Sequence, residues 1–322
     1  MTKRDFTTKN FLLVAANGGL GRETAKHLIN DGATKITLAG RTLSKIEEAK
    51  RYLKKTTTQN PLLELKTAGG FDMLDPKKIE TAINNLETKN PFDIVFLCAG
   101  GVFFTNDYQT KKWNQKEIEK TVFQNVFGAH LTIKALKQQN LLSPNALVVF
   151  AGGEGARGIP GMIASPEFRS KSELREYIFK TKETQAKYNP MNAIGVSKLF
   201  GALWVSKIAS LDNSIDAIWF TPGLTSGTNG LSGMTPLKRW FMKHLVFGFM
   251  NLIGKAQSPS KGGRKFADCL EGKIGANGDL LGAPKGQTLG RLVDQKPMNP
   301  AFTNNDLIDE FWLITEELFG KF

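Results

Sequence analysis

The 322-residue chain carries 43 lysines and arginines against 30 aspartates and glutamates, a formal net charge of +13 with a pI near 9.6. Its 41% hydrophobic content and 32 glycines exclude a disordered chain and point to a globular fold with many tight turns. Two cysteines, Cys98 and Cys269, exclude a disulfide framework or a zinc-site spacing and favour a reduced, cytoplasmic setting, and no metal site is expected.

The opening MTKRDFTTKNFLLVAANGG reads as a first strand running into a glycine loop rather than as a signal peptide, and no run reaches the ~18 apolar residues of a membrane span. FLLVA (11–15) is a strand and 19–31 a helix. KITLAG (35–40) is a strand and 44–55 a helix. A third strand lies near 62–68, followed by a helix from Pro76 to Leu86. DIVFLCA (93–99) is a fully apolar fourth strand. A long helix is expected over about 114–138, then a fifth strand, ALVVFA (146–151). A helix ending near Leu211 precedes a sixth strand, SIDAIWF (214–220). Strands buried on both faces and alternating with helices predict an α/β fold, a doubly wound parallel sheet of Rossmann type. The pattern loosens after Pro222-Gly223. Helices are expected over 236–254, 258–271 and about 305–319. Without an internal repeat or a low-complexity linker, the chain reads as one domain over 1–322: a core at 11–223 and a C-terminal elaboration at 224–322.

The net charge favours anionic partners, phosphorylated cofactors among them. The basic residues are spread along the chain, with no zinc-finger spacing and no aromatic RNA-binding signature, so nucleic acid is not expected as a partner. The glycine-rich NGGLGRETA (17–25) stands at the first strand-to-helix turn. There glycines let the backbone approach a pyrophosphate, and the helix amino end offers free N–H groups. Asn17, Gly18, Gly19, Leu20 and Gly21 are the candidate phosphate-binding residues. At the end of the second strand NAD-binding folds usually place an acidic residue on the ribose. Here Gly40 leaves room and Arg41 follows, a guanidinium suited to a 2′-phosphate, so NADP is favoured over NAD.

With these features the chain resembles the short-chain dehydrogenase/reductase superfamily over residues 11–223. VAANGGLG (14–21) is similar to the family's T-G-x-x-x-G-x-G loop, with Val14 and Ala15 in place of its first two letters. FDMLD (71–75) resembles the segment whose aspartate holds the adenine, here Asp72. LCAG (97–100) resembles N-N-A-G, which brings Ala99 and Gly100 to the cofactor. NVFGA (125–129) resembles the N-x-x-G helix, so Asn125 matches the structural and catalytic asparagine. PGLTSGT (222–228) resembles the Pro-Gly turn with a nicotinamide-covering threonine, here Pro222 and Gly223. Lys198 matches the lysine that binds the nicotinamide ribose and lowers the tyrosine pKa.

The departures concern the chemistry. Four residues before Lys198 the family has the tyrosine that protonates the carbonyl oxygen, and Ile194 stands there. The serine that clamps that oxygen should close the fifth strand, but VVFAGGEG (148–155) has only alanine and glycines at that point. Tyr108 and Lys112 form a Y-x-x-x-K in the wrong segment, a chance match. Tyr188 is the replacement candidate, because six residues can span up to ~20 Å. His27 and His130 are expected to be structural. The charged stretch 165–188, expected to be largely helical, sits where monomeric carbonyl reductases of this superfamily carry an insertion over the dimer surface, which leaves monomer or dimer open. Residues 236–254 follow an amphipathic helical period with a basic face. A lid over a small apolar substrate is the expected use, and a weak membrane-surface contact the alternative. The resemblance therefore implies an NADP-dependent oxidoreductase for an apolar carbonyl or activated alkene. The alternatives are a catalytically silent NADP-binding sensor or scaffold, and a peripheral membrane protein reusing the fold.

Overall fold

The computed structural model describes residues 6–58, 60–87, 90–105, 107–179, 188–211, 213–226 and 254–322. In chain order the strands of the main sheet are β1 (Asn10–Val14), β2 (Lys35–Ala39), β3 (Glu64–Ala68) and β4 (Phe92–Leu97). After a separate hairpin, β5 (Thr110–Trp113) and β6 (Lys116–Glu119), come β7 (Leu142–Ala151), β8 (Ile215–Phe220), β9 (Leu280–Gly282) and β10 (Val293–Asp294). The helices are α1 (Gly19–Asn30), α2 (Leu43–Thr56), α3 (Pro76–Asn84), α4 (120–138), α5 (Lys171–Ile178), α6 (Pro190–Leu211), α7 (Pro259–Leu270) and α8 (Asn305–Phe319).

The sheet runs β10-β9-β8-β7-β4-β1-β2-β3, parallel except for β10, which pairs antiparallel with β9. Chain order reverses between β1 and β4, and the crevice beyond the carboxyl ends of those strands is where such sheets bind ligands. Both faces are buried, as the apolar strands require. On β1, Leu12 and Val14 enter one core cluster and Phe11 and Leu13 the other, the period-two alternation of a strand covered on both sides. This is a Rossmann-type single-domain fold with a helical C-terminal part.

The C-terminal helix covers the outer face of α4 and α6. Phe311 stacks on Phe127 at 5.7 Å and lies 5.0 Å from Phe200. Arg175 of α5 bridges to Glu310 (2.8 Å) and Glu317 (2.7 Å) of the same helix. Among the described residues α6 is the one helix long and apolar enough to cross a membrane, contrary to the expectation that no run qualifies. Its buried residues pack into the core instead.

The long helix over 114–138 starts later than its periodicity suggests. Residues 110–119 form a two-stranded hairpin around Asn114 (φ 46°) and Gln115 (φ 65°), a pair of positive-φ residues that makes a two-residue turn. Glu119 then caps α4 by accepting from the Val122 amide at 2.6 Å. In the 165–188 insertion only Lys171–Ile178 is helical among the described residues, with Ser170 as its cap accepting from the Glu173 amide. The expected helix at 236–254 lies outside the described residues apart from Gly254. β9 and β10, three and two residues long, are too short to carry a periodic signal.

Candidate cofactor and active site

The glycine loop joins β1 to α1 through a left-handed residue. Ala15 adopts φ 65°, the conformation for which the family motif supplies glycine. Gly18 donates to the Ala15 carbonyl at 3.0 Å, and a Cβ on Gly21 would meet that same oxygen at 2.7 Å, so the turn closes tightly against the helix. Gly18 caps α1 without a side-chain hydrogen bond, and no acidic residue stands in the first turn. The amino end of α1 thus carries its partial positive charge and free N–H groups without a competing side chain.

Arg41, beyond β2, is exposed and makes no ion pair among the described residues. The space at Gly40 is not left free for a phosphate, as the sequence suggests. A Cβ there would lie 2.6 Å from Ile46 Cδ1 and 3.0 Å from Asn17 Oδ1, so the glycine lets α2 and the loop close on each other. Asp72 follows β3. Its Oδ1 accepts from the Leu74 amide at 3.2 Å, and its Oδ2 lies 3.9 Å from Lys78 Nζ.

At the end of β4, Ala99 is partly buried and Gly100 exposed. Asn125 sits inside α4 in a π-helical stretch, Phe123–Phe127, and is 1% exposed. Such single wide turns re-aim side chains and concentrate at functional sites. The Asn125 amide donates to the Gly101 carbonyl (3.0 Å) and to Ser197 Oγ (2.9 Å), and its oxygen accepts from the Gly101 amide (2.9 Å). It thereby ties α4 to the β4 loop and to α6. Lys198, next to Ser197, donates to the Ala151 carbonyl at 2.6 Å. A Cβ on Gly100 would stand 3.5 Å from Asn125 Oδ1 and 3.7 Å from Lys198 Nζ, so these three positions share one corner of the crevice. Burial lowers the Lys198 amine to about 8, against the upward pull of Cys98 and Glu154. Burial likewise pushes the Cys98 thiol up to about 11.

Ile194 stands one helical turn before Lys198, on the same face of α6. Gly152 occupies the position expected for a serine, and the space is filled. A Cβ there would lie 2.4, 2.6 and 2.7 Å from Cε2, Cζ2 and Cδ2 of Trp219. That indole is 1% exposed and donates to the Lys198 carbonyl at 3.1 Å. Two residues on, buried Glu154 accepts from Thr221 Oγ1 at 2.8 Å. Burial raises its carboxyl above the usual range. Pro222 and Gly223 make the turn after β8, with Gly223 at φ 96°. The Pro222 carbonyl accepts from Gln257 Nε2 (2.7 Å) and Lys265 Nζ (2.9 Å), which pin the turn to α7.

Tyr188 is turned toward α4. Its hydroxyl shares a hydrogen bond with Thr121 Oγ1 at 3.2 Å, and its ring meets Tyr108 edge-on at 5.8 Å. Both surround the fully buried Glu119, whose carboxyl burial pushes up to about 7. Tyr177 of the insertion belongs to the same cluster, since its carbonyl accepts from the Tyr108 hydroxyl at 3.2 Å. His130 is buried and accepts from Trp204 Nε1 at 3.2 Å, and His27 meets the Ser260 carbonyl at 2.9 Å, both packing roles. No group of three metal-ligating side chains occurs among the described residues. A cavity of about 550 Å³, lined by Phe6, Lys9, Asp93 and Asn145 among others, lies at the opposite, amino-terminal edge of the sheet.

The family profile described as short chain dehydrogenase matches residues 9–164. The short-chain dehydrogenase fogG of Aspergillus ruber is 27% identical over 317 residues, covering 93% of this chain and 81% of that protein. By sequence and by fold, the chain is similar to the short-chain dehydrogenase/reductase superfamily. The similarity to the short chain dehydrogenase/reductase dmxR8 of Cryptosporiopsis sp., 26% identical, is confined to 41% of this chain and 40% of that protein. Among solved folds, a short-chain type dehydrogenase/reductase from Mycobacterium ulcerans superposes with a TM-score of 0.58 at 15% identity, over 94% of this chain and 98% of the other. An L-sorbose reductase from Gluconobacter frateurii, complexed with NADPH and L-sorbose, does so at 0.54 and 14% identity, over 82% and 90%.

Superfamily members use nicotinamide dinucleotides, and the residues present here suit one. The amino end of α1 is open to a pyrophosphate. Gly100 keeps a side chain out of the corner where Lys198 and Asn125 meet. Sequence reasoning missed Trp219. The signal was available as a tryptophan on the strand beside the glycine pair, but only the fold shows that the ring fills the serine's place.

Proposed function

We propose that this protein is an NADP-dependent oxidoreductase acting on a small apolar substrate, an activated alkene in preference to a simple carbonyl. The observation that carries the reading is the corner formed by Gly100, Asn125 and Lys198 beside the uncapped end of α1. A nicotinamide dinucleotide bound there supplies or accepts hydride. In this reading Gly18, Gly19, Leu20 and Gly21 cradle the pyrophosphate, and Asn17 shapes the loop. Arg41 pairs with the 2′-phosphate, Asp72 meets the adenine, and Lys198 holds the nicotinamide ribose. Ala99, Gly100, Pro222 and Gly223 form the walls. Ile194 offers no proton and Gly152 no hydroxyl, so a substrate that develops charge on oxygen finds no clamp. An alkene conjugated to an electron-withdrawing group needs less of that help. We place the reaction in the reducing cytoplasm.

The test is NADPH consumption against matched ketones and enones. General acid catalysis contributes ~10²–10⁴-fold, so ketones should lag enones by a margin of that order. The Trp219 ring in the serine's space favours a second reading, a sensor that binds NADP without turnover. NADPH binding with no consumption across the panel would select it.

A further inference from the structure

Lys198 is an amine without an acid partner. It makes no ion pair among the described residues, and its hydrogen bond goes to a neutral backbone carbonyl, that of Ala151. Short-chain enzymes with the tyrosine present a phenol to this lysine, and Ile194 presents only an alkyl group. The neighbouring titratable groups are the Cys98 thiol and the Glu154 carboxyl, and neither is hydrogen-bonded to the amine. Bare backbone flanks the side chain: a Cβ on Gly100 would stand 3.7 Å from Nζ and one on Gly153 3.2 Å from Cγ. The Phe150 ring centroid lies 6.0 Å away. This is a desolvated lysine without an acid partner, and the missing side chain of Gly100 leaves a methyl-sized space beside its amine, a setting in which lysines act as nucleophiles.

We propose that Lys198 is a reactive amine that condenses with a small apolar aldehyde when the dinucleotide is absent. A neutral amine that donates one N–H to Ala151 keeps its lone pair free. The nitrogen attacks the carbonyl carbon, and the π pair moves to oxygen. A proton passes from nitrogen to that oxygen, giving a carbinolamine. The carbinolamine hydroxyl takes the remaining N–H proton and leaves as water while the nitrogen pair forms the C=N bond. One water is released and nothing is oxidised or reduced. Burial supplies the neutral amine: an amine at about 8 is roughly one-tenth neutral at pH 7, against about one part in 3,000 for an ordinary lysine, a gain of about 300-fold. The inference uses the same corner as the proposed cofactor site but does not depend on NADP binding there.

The experiment treats the full chain with hexanal and cyanoborohydride at pH 7, which fixes any imine as a stable secondary amine. Peptide mapping by mass spectrometry then ranks the lysines. Lys198 should be labelled at least tenfold faster than an exposed lysine such as Lys77. NADPH should slow that labelling, and Lys198→Arg should leave only the slow background. Mapping of the unmodified protein carries the result if the variant folds poorly. Labelling of Lys198 no faster than of Lys77 overturns the inference, and does so whether or not NADPH binds. Fast labelling that saturating NADPH does not slow supports the inference and instead refutes the placement of the cofactor.

Discussion

Restoring the serine should break the protein rather than repair it. Gly152→Ser puts a Cβ within 2.4–2.7 Å of three ring atoms of Trp219, well inside van der Waals contact. The ring cannot move easily. It is 1% exposed, packs 6.0 Å from Phe302 and donates to the Lys198 carbonyl at 3.1 Å. Overpacking of a core costs ~1–3 kcal/mol, and a lost hydrogen bond another ~0.5–1.5. Gly152→Ser should therefore cost about 2–4 kcal/mol, or roughly 3–6 °C in Tm for a chain of this size. Urea unfolding of four proteins separates the cause: the unmodified chain, Gly152→Ser, Trp219→Ala and the double variant. Trp219→Ala alone leaves a cavity, but in that background the serine should cost little, with a coupling of at least ~1 kcal/mol. Gly152→Ser within ~0.5 kcal/mol of the unmodified protein, or additive losses in the double variant, would refute the overlap of serine and indole.

Ala15→Gly should stabilise the protein by about 0.5–1 kcal/mol by relieving a left-handed alanine, partly offset by the freer unfolded chain, as read by denaturant midpoint; a lower midpoint would contradict the strain. Burial raises the Glu119 carboxyl from 4.5 to about 7, so the protonated form is the one the fold favours. Its stabilising contribution is full below about pH 4.5 and is lost as the pH rises through 7. Glu119→Gln, which keeps an acceptor for the Val122 amide, should flatten that decline and gain up to about 3 kcal/mol at pH 8; parallel stability curves for the two proteins would contradict it. Because α8 and α5 cover the outer face of α4 and α6, light scattering should give the 35.5 kDa monomer; a concentration-independent mass of twice that would show another association surface.

The sheet was legible because parallel strands buried on both faces are continuously apolar, and FLLV, KITLA and DIVFL have no alternative use. That Gly100, Asn125 and Lys198 meet at one corner was legible because each matches a motif position with a backbone or charge requirement and few substitutes. Packing between distant residues was not. Trp219 and Gly152 are far apart in sequence, and nothing in either segment alone shows that the ring takes the serine's volume. The room credited to Gly40 belongs to Ile46 for the same reason. The hairpin at 110–119 was hidden because its polar strands also fit a helical period, and two left-handed residues decided the outcome. Tyr188 was within reach of the crevice by chain length, yet a buried carboxylate and Thr121 hold its hydroxyl on α4.

We propose that the cofactor half of the site survives while the hydroxyl half is gone. Calorimetric titration of the protein with NADPH and then NADH tests this directly. The exposed Arg41 guanidinium should favour the 2′-phosphate by ~1.5–3 kcal/mol, so NADPH should saturate one site roughly ten- to a hundredfold more tightly than NADH. Absence of saturable binding by either dinucleotide, or equal affinities for both, would contradict it.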